Sequence, residues 1–293
     1  MFAHARRPEI VALISTRLVV NKHRAAVPDM RPSMDRRARF FYGAAPRSGI
    51  VASDDERAIQ VDHHRSEDRA HLSWQTEGPY FAETEARLLD GVLCASGERL
   101  LEIGCGEGAN LHHLRSLRGT RHGIDFSAAK VRVAAETGAL VACADATRLP
   151  YADGSFDVVL IRDLLHHVPD RLAVLHEAAR VSKPGARLHL IEPNARSPLV
   201  LLQALTVRAE RGLLRSTERR LRDELDAAGF RDVRFESAQP FPVARVVLHP
   251  HLGRPSLGRL PVVRRALDGF DRIAGAIVPR VAWLYLCFSA VRP

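Results

Sequence analysis

The sequence predicts a doubly wound α/β fold, a parallel sheet with helices on both faces. Two observations carry this. From Arg99 onward, short apolar runs with strand character alternate with stretches whose apolar residues recur at helical spacing. At the head of that alternation stands Leu100-Leu101-Glu102-Ile103-Gly104-Cys105-Gly106-Glu107-Gly108-Ala109-Asn110. It reads as a strand carrying one carboxylate, a loop with glycine at every second position, and a helix start.

The first strand is expected near Leu100–Ile103, with a helix near Ala109–Leu117 behind the loop. A second strand near His122–Asp125 leads to a helix near Ala128–Glu136, and Asp125 and Ser127 compete to cap it. The third and fourth strands fall near Leu140–Ala144 and Phe156–Ile161, the latter entered by the Asp153-Gly154 turn. A helix near Arg171–Val181 and the turn Lys183-Pro184-Gly185 precede a fifth strand near Arg187–Glu192. The helix near Thr217–Ala228 stops at Gly229 before a sixth strand near Val233–Ser237, and a last strand lies near Leu284–Val291. Upstream, Asp54–Gln60 and Ala82–Val92 read as helices, the second with Ala82, Ala86, Leu88, Leu89 and Val92 on one face. His71–Phe81 between them is aromatic and turn-rich.

The net charge of +9 is spread unevenly. Residues 1–50 carry ten Lys/Arg against three Asp/Glu, residues 241–293 eight against two, and the body between them 25 against 29. Basic ends could touch nucleic acid or anionic lipid, although solvated arginine faces are the simpler reading. No aromatic-interleaved basic stripe is visible, so no nucleic-acid partner is expected. Cys94, Cys105, Cys143 and Cys287 are scattered without metal-ligand spacing; the expectation is no metal and a reducing compartment. Ile10–Val20 is broken by Ser15, Thr16 and Arg17, and Ile273–Val291 contains Pro279 and Arg280. Neither reads as a secretory leader or a membrane span, and a cytoplasmic protein is expected.

Glycines so spaced let backbone N–H groups approach a ligand, and the helix N-terminus behind them suits an anionic group. Alone, Gly104-x-Gly106-x-x-Ala109 also passes as a dinucleotide fingerprint. Glu102 would repel a pyrophosphate but suits a ligand bearing an ammonium or sulfonium. Asp125 ends the second strand, 21 residues after Gly104, where an acid accepts ribose hydroxyls. Asp145 follows the third strand, where it could accept an adenine amino group. Glu102 and Asp145 together favour S-adenosylmethionine.

Six ordered segments then resemble the class I S-adenosylmethionine-dependent methyltransferases of the type-11 group. They are Leu101–Gly108, Gly123–Ser127, Ala144–Tyr151, Ser155–Val159, Leu165–Asp170 and Arg180–Gly185, within roughly residues 95–195. The resemblance implies a Rossmann-like, seven-stranded, mostly parallel sheet in the order 3-2-1-4-5-7-6, its seventh strand antiparallel. It implies S-adenosyl-L-methionine as cofactor. Glu102 and the loop Gly104, Cys105, Gly106 and Gly108 would hold the methionine end. Asp125 would take the ribose, Phe126 would pack near the adenine, and Asp145 and Ala146 would hold it. Arg162 would line the site beside the sulfonium. With weak periodicity and many arginines and prolines, residues 1–50 are expected to be a basic, disordered extension, and 51–98 a helical segment capping the cofactor site. The methyltransferase domain is expected over 99–293, with an insertion at about 240–280.

On the acceptor side His166 and His167 are the candidate bases, of which only one is expected to face the acceptor, with His166 slightly favoured. Glu192-Pro193-Asn194 should border the same pocket, and a helix Pro198 to Leu214 either caps it or packs in the core. In the insertion, apolar residues from Val263 to Ile277 recur at helical spacing. That helix could cover a lipophilic acceptor or rest on a membrane surface, with packing on the sheet the plainer alternative. The expected function is methyl transfer to a small, partly lipophilic molecule. A dinucleotide-dependent oxidoreductase and a non-catalytic S-adenosylmethionine-binding module are the alternatives.

Overall fold

The computed structural model describes residues 58–60, 62, 64, 68–250 and 253–293. The basic extension and most of the expected 54–60 helix lie outside the described residues. Seven strands make one sheet in the order β3-β2-β1-β4-β5-β7-β6. They are β1 (Arg99–Ile103), β2 (Thr120–Asp125), β3 (Leu140–Cys143), β4 (Phe156–Arg162), β5 (Ser182–Pro193), β6 (Arg231–Ala238) and β7 (Tyr285–Val291). The first five pair in parallel, and β7 runs antiparallel between β5 and β6.

Side chains alternate across this sheet and so divide the core in two. Leu101, Ile103, Val159 and Ile161 face one layer, with Val174, Leu175 and Leu221 from helices α5 (Arg171–Val181) and α7 (Glu218–Ala227). Leu100, Val158 and Leu160 face the other, against Leu111 of α3 (Ala109–His113), Ala134 of α4 (Ala128–Ala134), and Val200 and Ala204 of α6 (Pro198–Thr206). A third cluster joins α1 (Arg69–Glu77) and α2 (Phe81–Arg87) to α8 (Val243–Val247) and α9 (Pro261–Ile277), around Trp74 stacked on Phe81 at 3.8 Å. The segments before β1 and between β6 and β7 are therefore packed on each other.

Three expectations need correction. The aromatic stretch read as turn-rich is largely helix α1, because Asp68 caps it by accepting from His71 N at 2.9 Å and Trp74 anchors it. The helix expected over Ala82–Val92 ends at Arg87 and continues as turns. The single helix expected over Pro198–Leu214 breaks at Val207 and resumes as a 3-10 segment, Arg208–Arg215. There the chain crosses the short turn Leu165–His167 so closely that a Cβ on Gly212 would lie 1.7 Å from the His166 carbonyl oxygen. Separately, the competition to cap α4 is resolved: Ser127 Oγ accepts from Lys130 N, which leaves the Asp125 carboxylate facing the glycine loop.

Candidate cofactor and acceptor site

The C-terminal ends of β1, β2 and β4 converge on the loop after β1. Gly104, Gly106 and Gly108 all take positive φ, 78°, 52° and 88°. A side chain is strained in that region, and at Gly104 it would also meet Leu164 at 2.8 Å. At Gly106 a Cβ would meet nothing within 4 Å, so the loop borders open space. Asp125, buried at the end of β2, accepts from Gly106 N at 3.0 Å and Ser127 N at 2.8 Å. Those bonds fix its carboxylate at the rim of the space, while burial raises its pKa. Phe126 beside it is 43% exposed, an aromatic face with little packed on it. Asp145 is exposed and accepts from the Thr147 N–H and hydroxyl, and Ala146 follows it in the same turn.

Glu102 is fully buried at the end of β1. Its Oε1 accepts from Asn110 Nδ2 at 2.6 Å, and Oε2 has no hydrogen-bond partner. Burial pushes this carboxyl up to about 8, against the pull of Asn110 and Arg162. A buried carboxylate lacking one partner beside an open glycine cradle fits a ligand whose cationic group comes close to a carboxylate-bearing backbone. The donor set therefore suits an amino-acid-bearing sulfonium nucleoside, whose ammonium would pair with the ionised Glu102, a partner that a pyrophosphate cannot supply.

From Asn110 a buried chain of polar groups runs across the domain. Asn110 Oδ1 accepts from Arg162 Nη1 at 2.9 Å, and Arg162 Nη2 pairs with Glu85 of α2. The other oxygen of Glu85 lies 3.0 Å from Arg245 Nη2 of α8, which donates to the Tyr285 hydroxyl of β7 at 2.8 Å. Tyr285 in turn donates to Asp163 at 3.4 Å. Burial alone would raise the Glu85 pKa, but Arg245 and Arg162 outweigh it and hold the carboxylate ionised. Asp163 takes φ of 51° directly after β4 and is half-buried, its carboxyl raised by burial. Strain at a non-glycine residue in such a place is a feature of functional sites.

The two histidines occupy different environments. His166 is 4% exposed; its Nδ1 lies 2.8 Å from Glu192 Oε2 and its Nε2 3.6 Å from Glu210 Oε2. Burial would lower its pKa, yet the carboxylates of Glu192, Glu210 and Asp163 raise it. Glu192 is itself fixed by the N–H groups of Leu164 and Leu165, at 2.8 Å each. His167 is half-buried, its ring 3.9 Å from that of His166 and 4.3 Å from that of His64. The histidine slightly favoured to face the acceptor is thus the one enclosed by carboxylates. Asn194 donates to the carbonyls of Val281 and Trp283, tying the end of β5 to the approach to β7.

Glu85, Asn110, Asp163, Arg245 and Tyr285 escaped the reading of the sequence as site residues. One signal was available: Glu85 interrupts the apolar face made by Ala82, Ala86 and Leu89. An acid there needs a buried cation.

The fold is a Rossmann-like α/β domain with the strand order expected for the class I methyltransferases, and a glycine loop follows its first strand. Residues 101–190 match the family described as a methyltransferase domain. A 27-O-demethylrifamycin SV methyltransferase from Amycolatopsis mediterranei is 37% identical over 149 residues, which cover 46% of this chain and 55% of that protein. A ubiquinone biosynthesis O-methyltransferase from Hahella chejuensis is 36% identical over 152 residues, covering 47% and 63%. The chain thus spans less than two thirds of either relative. Phosphoethanolamine N-methyltransferase 2 of Haemonchus contortus, solved with S-adenosyl-L-methionine, shares the fold. Its TM-score is 0.59 at 20% identity, over 84% of this chain and 61% of that one. Residues 101–190 are thus similar to a methyltransferase domain, set in a sheet with the strand order of its solved structural neighbours.

Proposed function

We propose that this protein transfers a methyl group from S-adenosylmethionine to a small, partly lipophilic acceptor. The observation that carries the reading is Glu102, buried with one oxygen unpartnered behind three glycines of positive φ. Glu102 and the Gly104–Gly108 loop would hold the methionine end, Asp125 the ribose hydroxyls, and Phe126, Asp145 and Ala146 the adenine. Bound there, the cofactor supplies an electrophilic methyl on a sulfonium. Much of the acceleration then comes from holding the acceptor close and collinear. Arg162 acts here as the anchor that keeps Asn110, and through it Glu102, in place.

A bulky, partly apolar acceptor is supported by the names of the two curated relatives, one concerning a rifamycin and the other ubiquinone biosynthesis. A hydroxyl acceptor must lose a proton. His166, held between Glu192 and Glu210 with a raised pKa, is better suited to orient its neighbour than to accept that proton. His167 is the base in this reading. Asp163 and Arg245, both half-buried, offer polar contacts to the acceptor.

Two measurements test the proposal. Asp125→Ala removes a charged acceptor worth about 1.5–3 kcal/mol, so calorimetry should show S-adenosylhomocysteine binding weakened roughly 10- to 100-fold. Unchanged affinity would sink the cofactor assignment. A labelled-methyl screen over lipophilic hydroxylated metabolites, read by mass spectrometry, should return a methylated product; binding without transfer to any acceptor would favour a non-catalytic module.

A further inference from the structure

Helix α9 buries Ala274 and, in the cluster it shares with α8, Leu267, and leaves a second apolar stripe facing outward. Val262, Ala266, Phe270, Ile273 and Ile277 recur at intervals of four, four, three and four, which places them on one face. Val262 is 70% exposed, Ile273 60% and Ile277 74%. Phe241 lies 6.1 Å from Phe270 and extends the patch.

The charges on this helix are sorted. Asp268 is exposed, but at two residues from Phe270 it lies off the stripe and accepts from the Tyr80 hydroxyl at 2.5 Å; Asp271 is half-buried, and Arg264 pairs with Glu83. Arg265 and Arg272 are exposed along the flank of the apolar stripe, and Arg259 is exposed just before the helix. The outward aspect is therefore apolar at its centre and cationic at its edge. We propose that α9 docks this protein onto an anionic lipid surface, its apolar stripe in the headgroup–acyl boundary and its arginines among the lipid phosphates.

Charge decides among occupants. A second copy would oppose arginine flank to arginine flank, and the basic residues 1–50 would meet the same repulsion, whereas an anionic leaflet is complementary. No helix among the described residues is long and apolar enough to cross a membrane, so the contact lies in the surface plane. α9 packs on α8, the helix that carries Arg245 into the site. The lipid-facing element and the acceptor side thus belong to one unit. The inference does not rest on methyl transfer and would survive its failure.

The test is co-sedimentation of the full chain with phosphatidylcholine vesicles and with vesicles containing phosphatidylglycerol. Binding should favour the anionic vesicles, weaken with salt, and fall about tenfold or more in the Ile273→Asp/Ile277→Asp variant. Because both side chains are exposed, that variant should keep its circular dichroism and its S-adenosylhomocysteine affinity. Equal partition to both vesicle types, or binding unchanged in the variant, overturns the proposal. So does concentration-dependent self-association that the variant abolishes without any vesicle binding.

Discussion

Glu85→Gln isolates the charge at the centre of the buried network while keeping the side-chain shape. Glu85 is 1% exposed, and one carboxylate neutralises two guanidinia, Arg162 (4% side-chain exposure) and Arg245 (27%). Breaking a buried pair by removing one partner costs about 3–5 kcal/mol, because the remaining charge stays desolvated. Glutamine still accepts one hydrogen bond, which puts the expected loss near the lower end, about 3 kcal/mol. For a domain of this size that lowers Tm by roughly 6–12 °C. The assay is thermal unfolding followed by circular dichroism, with Glu136→Gln as the control. The Arg69–Glu136 pair has similar geometry at 2.8 Å but both side chains are more than half exposed, and its loss should leave Tm unmoved. The pH dependence has a definite sign. The two guanidinia hold Glu85 below its ordinary value of 4.5, so the stabilisation is complete above that pH and is lost as pH falls through the folded-state value. Wild type and variant should therefore converge in acid. A Tm shift below about 2 °C at pH 7, or a gap that persists in acid, would refute the assignment of this network as a stabilising ion triad.

Two further outcomes follow from the glycine loop and Glu102. Gly106→Ala strains a residue at φ of 52° by about 1–2 kcal/mol and points its methyl into open space. Tm should fall by only a few degrees while S-adenosylhomocysteine affinity drops about tenfold or more. Equal affinity would move the ligand away from the loop. Glu102, pushed up to about 8 by burial, carries a proton at neutral pH that a neighbouring ammonium would displace. Binding should then release a proton, affinity should rise by up to about tenfold per unit toward pH 8, and calorimetric enthalpy should depend on the buffer. Glu102→Gln should flatten both dependences. In the ligand-free protein the same raised value means stability declines as pH rises from 4.5 through about 8.

What was legible in the sequence was local. The β1 strand, the glycine loop and the start of α3 lie within eleven consecutive residues, and each has its own signal: a short apolar run, glycine at every second position, a helix start. Asp125 was legible because it sits at a fixed distance beyond that loop. Strand order and the antiparallel β7 came through six spaced motifs rather than from any one strand. The Glu85–Arg162–Arg245 triad was not legible, because its members lie 77 and 160 residues from Glu85 and each looks like an ordinary charged residue alone. Only the closure of α2 and α8 over the sheet brings them together. The histidines were legible only in part. Their adjacency announced that they would differ, but which ring turns inward depends on Glu192 and Glu210, and on the tight passage of Gly212 under the His166 carbonyl.

The triad also bears on how such a protein changes its substrate. Its three members come from a helix before β1, the end of β4, and the segment between β6 and β7, and the segment that matches the family supplies only Arg162. Grafting a foreign 240–280 segment onto this chain would, besides altering the acceptor side proposed above, decide the fate of the charge on Glu85. A replacement without a basic residue at position 245 would leave Glu85 with one counterion where it has two. Divergence in acceptor range is therefore expected to proceed by paired exchange of two segments distant in the chain, with the residues at 85 and 245 varying together.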